Sequence, residues 1–250
     1  MKNRLSSKNW LILLFIIVLF AALLSSVRFW EIFLHFLFPS QTQVLYPNAS
    51  LLSMVGQHLI LVGISSVITI LMGIPLGVWV TRPSGRDFLP LVTTITSFGQ
   101  TFPPVAVLAL AVPALGFGLL PTIVALFLYG LLPVVRNTVA GLNAVSQNLL
   151  DAALGMGMNR SRMLLQVELP LSAGVILSGI RISVIINIGT AMIGATIGAG
   201  GLGVPVIAGL VQGNIAYVIE GAVPAAILAV LINQVFSNIE KNFIYRTETA

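Results

Sequence analysis

The chain has 250 residues, 57% of them hydrophobic and only 8% charged, with a mean hydropathy of +1.04. A soluble fold of this length cannot hide that much apolar surface, so the composition predicts a polytopic membrane protein and excludes a water-soluble enzyme. The net charge of +5 does not point to nucleic acid, and the absence of cysteine excludes disulfides and thiolate metal sites.

Lys2, Arg4 and Lys8 precede an uncharged run from Trp10 to Val27. The run is long for a secretory signal and no A-x-A site closes it, so an uncleaved first membrane helix is expected. Residues 28–56 mix aromatics with Pro39, Pro47 and polar groups, which reads as an external segment lying partly in the membrane interface. Leu59 to Thr81 forms a second span, closed by the turn Arg82-Pro83-Ser84-Gly85-Arg86-Asp87. A third span, from about Phe88 to Val112, is broken. Ser97-Phe98-Gly99-Gln100-Thr101-Phe102-Pro103-Pro104 places polar side chains, a glycine and two prolines at membrane depth. Irregular backbone survives there only where protein or a water-filled cavity satisfies it. A segment lining a translocation path and a proline-kinked helix packed inside a bundle both fit.

Pro113 to Gly118 reads as a short external turn, and Leu119 to Val135 as a fourth span stopped by Arg136-Asn137. A polar-bearing stretch, Asp151–Pro170, follows. Leu149, Leu150 and Ala153 fall at helical spacing, so a short helix is expected from about 144 to 156. Gly157 supplies the turn after it, and Asn159 caps a second helix carrying Met163, Leu164 and Val167. Pro170 then sits in the first turn of the next apolar span, where its missing N–H is harmless. The fifth span runs from Leu171 to roughly Ile197 and contains Arg181, eleven residues past Pro170. That is roughly 16 Å along a helix, deep enough that the cation must be paired, hydrated or snorkelling; a structural role suits it better than solute contact. Beyond the glycine-dense Gly194, Gly198, Gly200, Gly201 and Gly203, a sixth span is expected over Gly221 to Ile239.

With the N-terminus inside, six spans place both termini in the cytoplasm, together with Lys2, Arg4, Lys8, Arg82, Arg86, Arg136, Arg160, Arg162, Lys241 and Arg246. Only Arg28 falls outside, and the reverse orientation violates the positive-inside bias. The three lysines lie at 2, 8 and 241, so no P-loop lysine exists and the chain is not its own ATPase of that type. No acidic residue is expected deep within a span, which disfavours proton coupling; sodium-coupled carriers, which can use backbone carbonyls, stay open. His35 and His58 are isolated from ligand partners, and no catalytic constellation or metal cluster is visible.

The pattern Asp151-Ala152-Ala153, three residues, Gly157, nine residues, Val167-Glu168-Leu169-Pro170 resembles the EAA loop of binding-protein-dependent ABC importer permeases. Asp replaces the first Glu of the family pattern and Val replaces Ile. The likeness covers about residues 55–240. It includes Ser97–Pro104, Val112-Pro113, Leu126–Arg136, Gly155-Met156-Gly157-Met158, Gly179-Ile180-Arg181, Ile185–Thr190 and Ile197–Gly203, and is nearest the osmoprotectant branch.

This resemblance implies an all-α, polytopic type I ABC importer permease (MetI-like) fold with about six transmembrane helices, in the bacterial cytoplasmic (inner) membrane. Residues 1–53 would form an N-terminal helix and external segment, 54–240 the permease core with a cytoplasmic coupling loop at 143–170, and 241–250 a cytoplasmic tail. The implied function is non-enzymatic translocation of glycine betaine or related quaternary ammonium osmoprotectants. Another small solute such as methionine, and a secondary transporter, are the alternatives. Implied partners are ABC ATPase subunits carrying ATP and Mg²⁺, a second permease subunit (identical or paralogous), membrane lipid and a substrate-binding protein, which is expected to be separate because the sequence runs only ten residues past Glu240. This chain itself is expected to bind no cofactor, metal or nucleic acid.

Asp151, Ala152, Ala153, Gly157, Val167, Glu168, Leu169 and Pro170 would form the ATPase-coupling loop. Gln100, Thr101, Asn187 and Thr190 are candidates for the translocation path, as uncharged polar groups suited to passing a zwitterion; small-residue packing explains them nearly as well. Gly198, Gly200, Gly201 and Gly203 are candidates for a gate. A cation–π cage is expected in the receptor, and Phe98, Phe102 and Tyr129 fit ordinary helix packing.

Overall fold

The structure, a computed structural model, describes residues 9–240 in full and the helical backbone out to 2 and 247. The terminal cations Lys2, Arg4, Lys8, Lys241 and Arg246, and the tail assigned to 241–250, lie outside the fully described residues. Among the described residues every regular element is helical.

Helix α1 (Lys2–Ser25) bends by 79° into α2 (Val27–Leu37) at Ser26, whose side chain caps α2 by accepting from the Phe29 N–H. The expected interfacial segment is thus helical in its first third, with Trp30 and Leu34 buried at i, i+4 spacing. Helix α3 (Leu51–Val80) starts eight residues earlier than Leu59. Ser50 Oγ accepts from the Ser53 N–H and begins it, and the polar Gln57 and His58 do not interrupt it because both find partners further along the chain.

After the turn at 81–85, where Trp79 and Phe88 stack at 5.3 Å, α4 (Leu89–Thr101) and α5 (Pro104–Leu115) bear out the expected break. Phe102 and Pro103 are extended there, with ψ of 134° and 135°. Pro113, assigned to a turn, lies inside α5. Helix α6 (Leu119–Asn143) runs straight through Arg136-Asn137. The charge ends the apolar run without ending the helix, because nothing there breaks backbone bonding; Asn137 Nδ2 and Thr138 Oγ1 donate back to the carbonyls of Pro133 and Val134.

Helix α7 (Gln147–Gly155) is shorter than the expected 144–156. Helix α8 (Arg160–Met163) passes through a π turn (Leu164–Glu168) into α9 (Leu169–Ala191) and a 3₁₀ turn (Met192–Ile197). Pro170 therefore lies within a helical run from Arg160 to Ile197 and does not open a new span. Its missing N–H would orphan the Gln166 carbonyl, and the π turn, in which the Leu169 N–H reaches Leu164 O, widens the backbone just ahead of it. Helix α10 (Gly203–Gln212), ten apolar residues, was not anticipated. Helix α11 (Ile215–Thr247) begins six residues before Gly221, capped by Asn214 Oδ1, which accepts from the Ala216 and Tyr217 N–H groups.

Among the described residues, four helical runs are long and apolar enough to cross a membrane, and the two broken pairs bring the total to as many as six. The chain divides into two compact units. In the first (residues 1–65, 103–126 and 185–235), the irregular stretch 38–50 is tied to α11. Tyr46 N–H donates to Glu220 Oε2 at 2.8 Å, and Asn214 Nδ2 and Tyr217 Oη hold the carbonyl and side chain of Gln43 at 2.8 and 3.0 Å. Glu220 is 2% exposed, which corrects the expectation that no acid lies deep in a span. The spacing missed it because the sixth span was started one residue too late to include it.

The second unit comprises residues 66–102, 127–184 and 236–250. Its helices meet at small residues: Gly73 and Gly77 face Val134 and Thr138, and Gly179 faces Pro133 and Asn137. Close backbone approach of this kind is the usual way apolar helices associate without a hydrophobic driving force between them. Arg181 pairs with Glu240 at 3.0 Å and also donates to Ser178 Oγ, as the structural role expected of it requires.

A methyl group at Gly179 would stand 2.5 Å from Asn137 Cβ and 2.7 Å from the Pro133 carbonyl oxygen, whereas one at Gly63 meets nothing within 4 Å. Gly179→Ala is expected to destabilise the protein by about 1–3 kcal/mol through overpacking, and Gly63→Ala to be neutral or slightly stabilising. Thermal unfolding in detergent tests this; equal melting temperatures for the two variants would contradict the packing described.

Candidate functional site

The Asp151–Pro170 segment presents two different surfaces. Asp151, Ala152, Met156 and Gly157 are exposed, and with Leu149, Leu154 and Leu165 they leave apolar side chains facing outward. Ala153 and Met163 point inward and are buried. Gly157, at φ +81°, closes α7: its N–H reaches Leu154 O and the next N–H reaches Ala153 O. Asn159 Oδ1 accepts from the Arg162 N–H at 2.8 Å, the cap anticipated from the sequence. Gln147 Nε2 holds Asp151 Oδ1 at 3.0 Å across one turn of α7.

The C-terminal end of the segment does not face outward. Glu168 is 4% exposed and its carboxylate takes both terminal nitrogens of Arg82, at 3.0 and 2.5 Å. This fork pins the turn after α3 to the base of α9. From the sequence Arg82 was read only as an orientation-setting cation. A lone acid flanked by Val167 and Leu169, next to a helix start, is the signal that Glu168 needs a cationic partner. Val167 and Leu169 are half-buried, and Pro170 is exposed.

The four path candidates separate. Gln100 Nε2 donates to the Tyr129 carbonyl at 2.8 Å, the group that Pro133 leaves without its helical donor. Asn187 is fully buried, with Nδ2 on Ser65 Oγ at 3.4 Å, and Thr190 Oγ1 bonds back to Ile186 O. Thr101 is exposed and lines a cavity of about 360 Å³ in the second unit, with Thr93, Thr94, Ser97, Phe98 and Arg136.

Of the gate candidates, Gly198, Gly200 and Gly201 adopt φ of +78°, +82° and +82°. The turn is bonded in place, since Gly201 N–H donates to Gln57 Oε1 at 3.0 Å; Gly203 is buried at the start of α10. His58 is buried, its Nε2 donating to Ile188 O at 3.0 Å, and His35 is exposed. No group of three metal-ligating side chains occurs among the described residues.

Residues 73–248 match the family model described as the binding-protein-dependent transport system inner membrane component. The chain belongs to this family. The permease is 42% identical to the osmoprotectant import permease protein OsmY of Salmonella typhimurium, over 84% of this chain and 86% of that one. It is 41% identical to the choline transport system permease protein OpuBB of Bacillus subtilis, over 74% of this chain and 84% of that one. The glycine betaine/carnitine/choline transport system permease protein OpuCB of Bacillus subtilis is also 41% identical, over 78% and 88%. Among solved structures, an inward-facing MetNI methionine ABC transporter superimposes with a TM-score of 0.67 at 24% identity, covering 76% of this chain and 94% of that one. That likeness establishes the MetI-like permease fold. The permease is an inner-membrane, multi-pass transport subunit, as its composition and helices require.

Breaking the Arg82–Glu168 fork by Glu168→Gln is expected to cost about 1–3 kcal/mol, less than for a fully buried pair because Arg82 keeps 26% exposure. The exchange Arg82→Glu with Glu168→Arg recovers part of that loss. Melting temperatures of the single and double variants form the cycle; strict additivity would show that the two side chains do not act together.

Proposed function

We propose that this permease is the membrane subunit of an ATP-driven importer for glycine betaine or related quaternary ammonium osmoprotectants, delivered by a separate binding protein. The observation that carries this reading is identity of 41–42% to permeases named for osmoprotectants, choline, glycine betaine and carnitine, across most of both chains. A second permease copy or paralogue completes the pore, and two ATPase subunits, which hold ATP and Mg²⁺, dock on the exposed face of α7. The positive-inside distribution supports cytoplasmic termini and a cytoplasmic α7. We retain the division into an N-terminal helix with its external segment (1–53), a permease core (54–240) and a tail (241–250).

The mechanism follows from how the docking segment is built. Exposed Asp151, Ala152, Leu154, Met156 and Gly157 offer a thin, largely apolar patch on which a partner can close. Asn159 caps a helical run that continues without a loop into α9, so displacement of the patch is delivered along a helix. Closure of the ATPases on ATP binding then becomes rocking of the spans. The glycine turn at Gly198–Gly203 is assigned as the gate, its three positive-φ positions giving backbone freedom that other residues lack.

The secondary-transporter alternative had been disfavoured by the absence of a deep acid, and Glu220 removes that argument. Its carboxylate is held by the Tyr46 N–H, a framework role, and family membership now weighs against an ATP-independent carrier.

The test is uptake of radiolabelled glycine betaine in cells expressing this chain with its ATPase and receptor, choline and methionine serving as competitors. Nothing lies within 4 Å of an added Cβ at Gly157, but its φ of +81° and exposure make Gly157→Asp a change to the docking face. Uptake is expected to fall by about tenfold or more with the membrane level of the protein preserved. Undiminished uptake would remove ATPase coupling through this loop, and methionine uptake without betaine uptake would replace the cargo. Gly198→Ala, also free of steric neighbours, is expected to slow uptake at normal assembly by straining φ +78°; wild-type rates would remove the gate.

A further inference from the structure

The cavity beside α4 has a wall of unusual chemistry. Thr93, Thr94, Ser97, Phe98 and Thr101 come from adjoining turns of one helix face, and Arg136 projects from α6. The hydroxyl protons of Thr93, Ser97 and Thr101 are already committed, donating to Leu89 O, Thr93 O and Ser97 O at 2.8, 2.6 and 2.9 Å. These three side chains therefore offer the cavity oxygen lone pairs, while the exposed Thr94 beside them keeps its hydroxyl donor. Phe98, 58% exposed, adds an aromatic ring, whose faces are electron-rich. Against this electron-rich surface stands one cation. Arg136 is exposed and makes no ion pair among the described residues, while Arg82 and Arg181 each hold a glutamate.

A simple cation would be repelled by the guanidinium, and a simple anion would meet lone pairs and a π face. A small zwitterion satisfies both halves. An ammonium bearing only methyl groups has no N–H to satisfy, so ring faces and hydroxyl oxygens suffice for it. A carboxylate a few bonds away takes the planar fork of an arginine in bidentate fashion. The volume of about 360 Å³ lies within the range of small-molecule sites.

We propose that this cavity is a transit site for zwitterions carrying a quaternary ammonium and a carboxylate. Arg136 holds the carboxylate, and Phe98 with the oxygens of Ser97 and Thr101 receives the methylated ammonium. The proposal rests on the osmoprotectant reading above and specifies where in this chain selection occurs. Of the uncharged path candidates it keeps Thr101, and it assigns Gln100 to the framework. Because Arg136 contacts only the carboxylate, it separates substrates that have one from those that do not.

The experiment uses proteoliposomes containing the whole importer, with a receptor that delivers both glycine betaine and choline. Maximal rates are compared at saturating receptor, so that the receptor's own affinity does not set the result. Arg136→Gln is expected to lower the betaine rate by about tenfold or more and leave choline within about twofold. Arg136→Lys restores part of the betaine rate, and Phe98→Leu slows both substrates by about threefold or more. A wild-type importer that carries both, with an Arg136→Gln variant that slows both equally, would make Arg136 a framework or lipid-headgroup anchor and overturn the site alone. A wild type that carries neither would overturn the osmoprotectant reading and the zwitterion assignment with it. Should Arg136→Gln not assemble, an unchanged betaine-to-choline ratio in Arg136→Lys together with wild-type rates in Phe98→Leu is the overturning result.

Discussion

In hydrocarbon a backbone N–H or C=O without a partner costs several kcal/mol, and that constraint dictates where this chain spends its polar side chains. Pro133 deprives the Tyr129 carbonyl of its helical donor, and the Gln100 carboxamide replaces it. The break after α4 frees the Phe102 carbonyl, and Tyr129 Oη donates to it. The two substitutions are reciprocal, so the interruption in one helix is repaired by the helix that carries the proline. The same logic recurs in the other unit. The Gly201 N–H finds Gln57 Oε1, and Asn214 satisfies two N–H groups at the start of α11 while its amide holds Gln43 O. Polar residues at membrane depth are here mostly repairs to the backbone.

Pro170 poses the same problem and is solved differently. Here the helix widens to a π turn over Leu164–Glu168 and passes the proline without a bend into a loop. The consequence is mechanical. A segment expected to be two short helices before a new span becomes one short helix, a glycine turn, and the capped end of a long helix. The Arg82–Glu168 fork lies at the base of that helix, where Glu168 closes the π turn, so the widened backbone is also its anchoring point. A fork with fixed geometry resists both sliding and rotation, which a flexible lysine pair would not.

Hydropathy and the twenty-residue spacing at Asp151–Pro170 were enough for the class, the broken third span, the Asn159 cap and the Gly157 turn, because each is set by local chemistry. Helix ends were less legible. Polar residues within α3, α6 and α11 read as stops, yet Gln57, His58, Asn137 and Glu220 are all hydrogen-bonded within helices that continue past them. Tertiary partners for Gln57, His58 and Glu220, and a back-bond within α6 for Asn137, erased the boundaries that solvation would have imposed. Helix α10 escaped notice for the opposite reason, since ten apolar residues among glycines carry no distinctive period. The Glu168 partner was illegible because residues 82 and 168 are brought together only by the fold.

The distinction between framework and path comes down to which hydrogen-bonding groups remain uncommitted. An ionisable residue within a span is by default a functional candidate, but Arg181 is consumed by Glu240 and Glu220 by the Tyr46 N–H. Gln100, Asn187 and Thr190 satisfied the same hydropathy criterion as Thr101, and all four have donors that bond inside the protein; Thr101 differs in being exposed on the cavity wall, where its oxygen stays accessible. A solute that must be released as readily as it is bound cannot displace such bonds at each step, since the orphaned groups would have to be paid for in every cycle. What a passing solute can use are lone pairs whose protons are already placed, an aromatic face, and a cation free to exchange water for carboxylate. In the second unit those features share a wall on α4 and α6, where a weak, geometrically split site can select a zwitterion without trapping it.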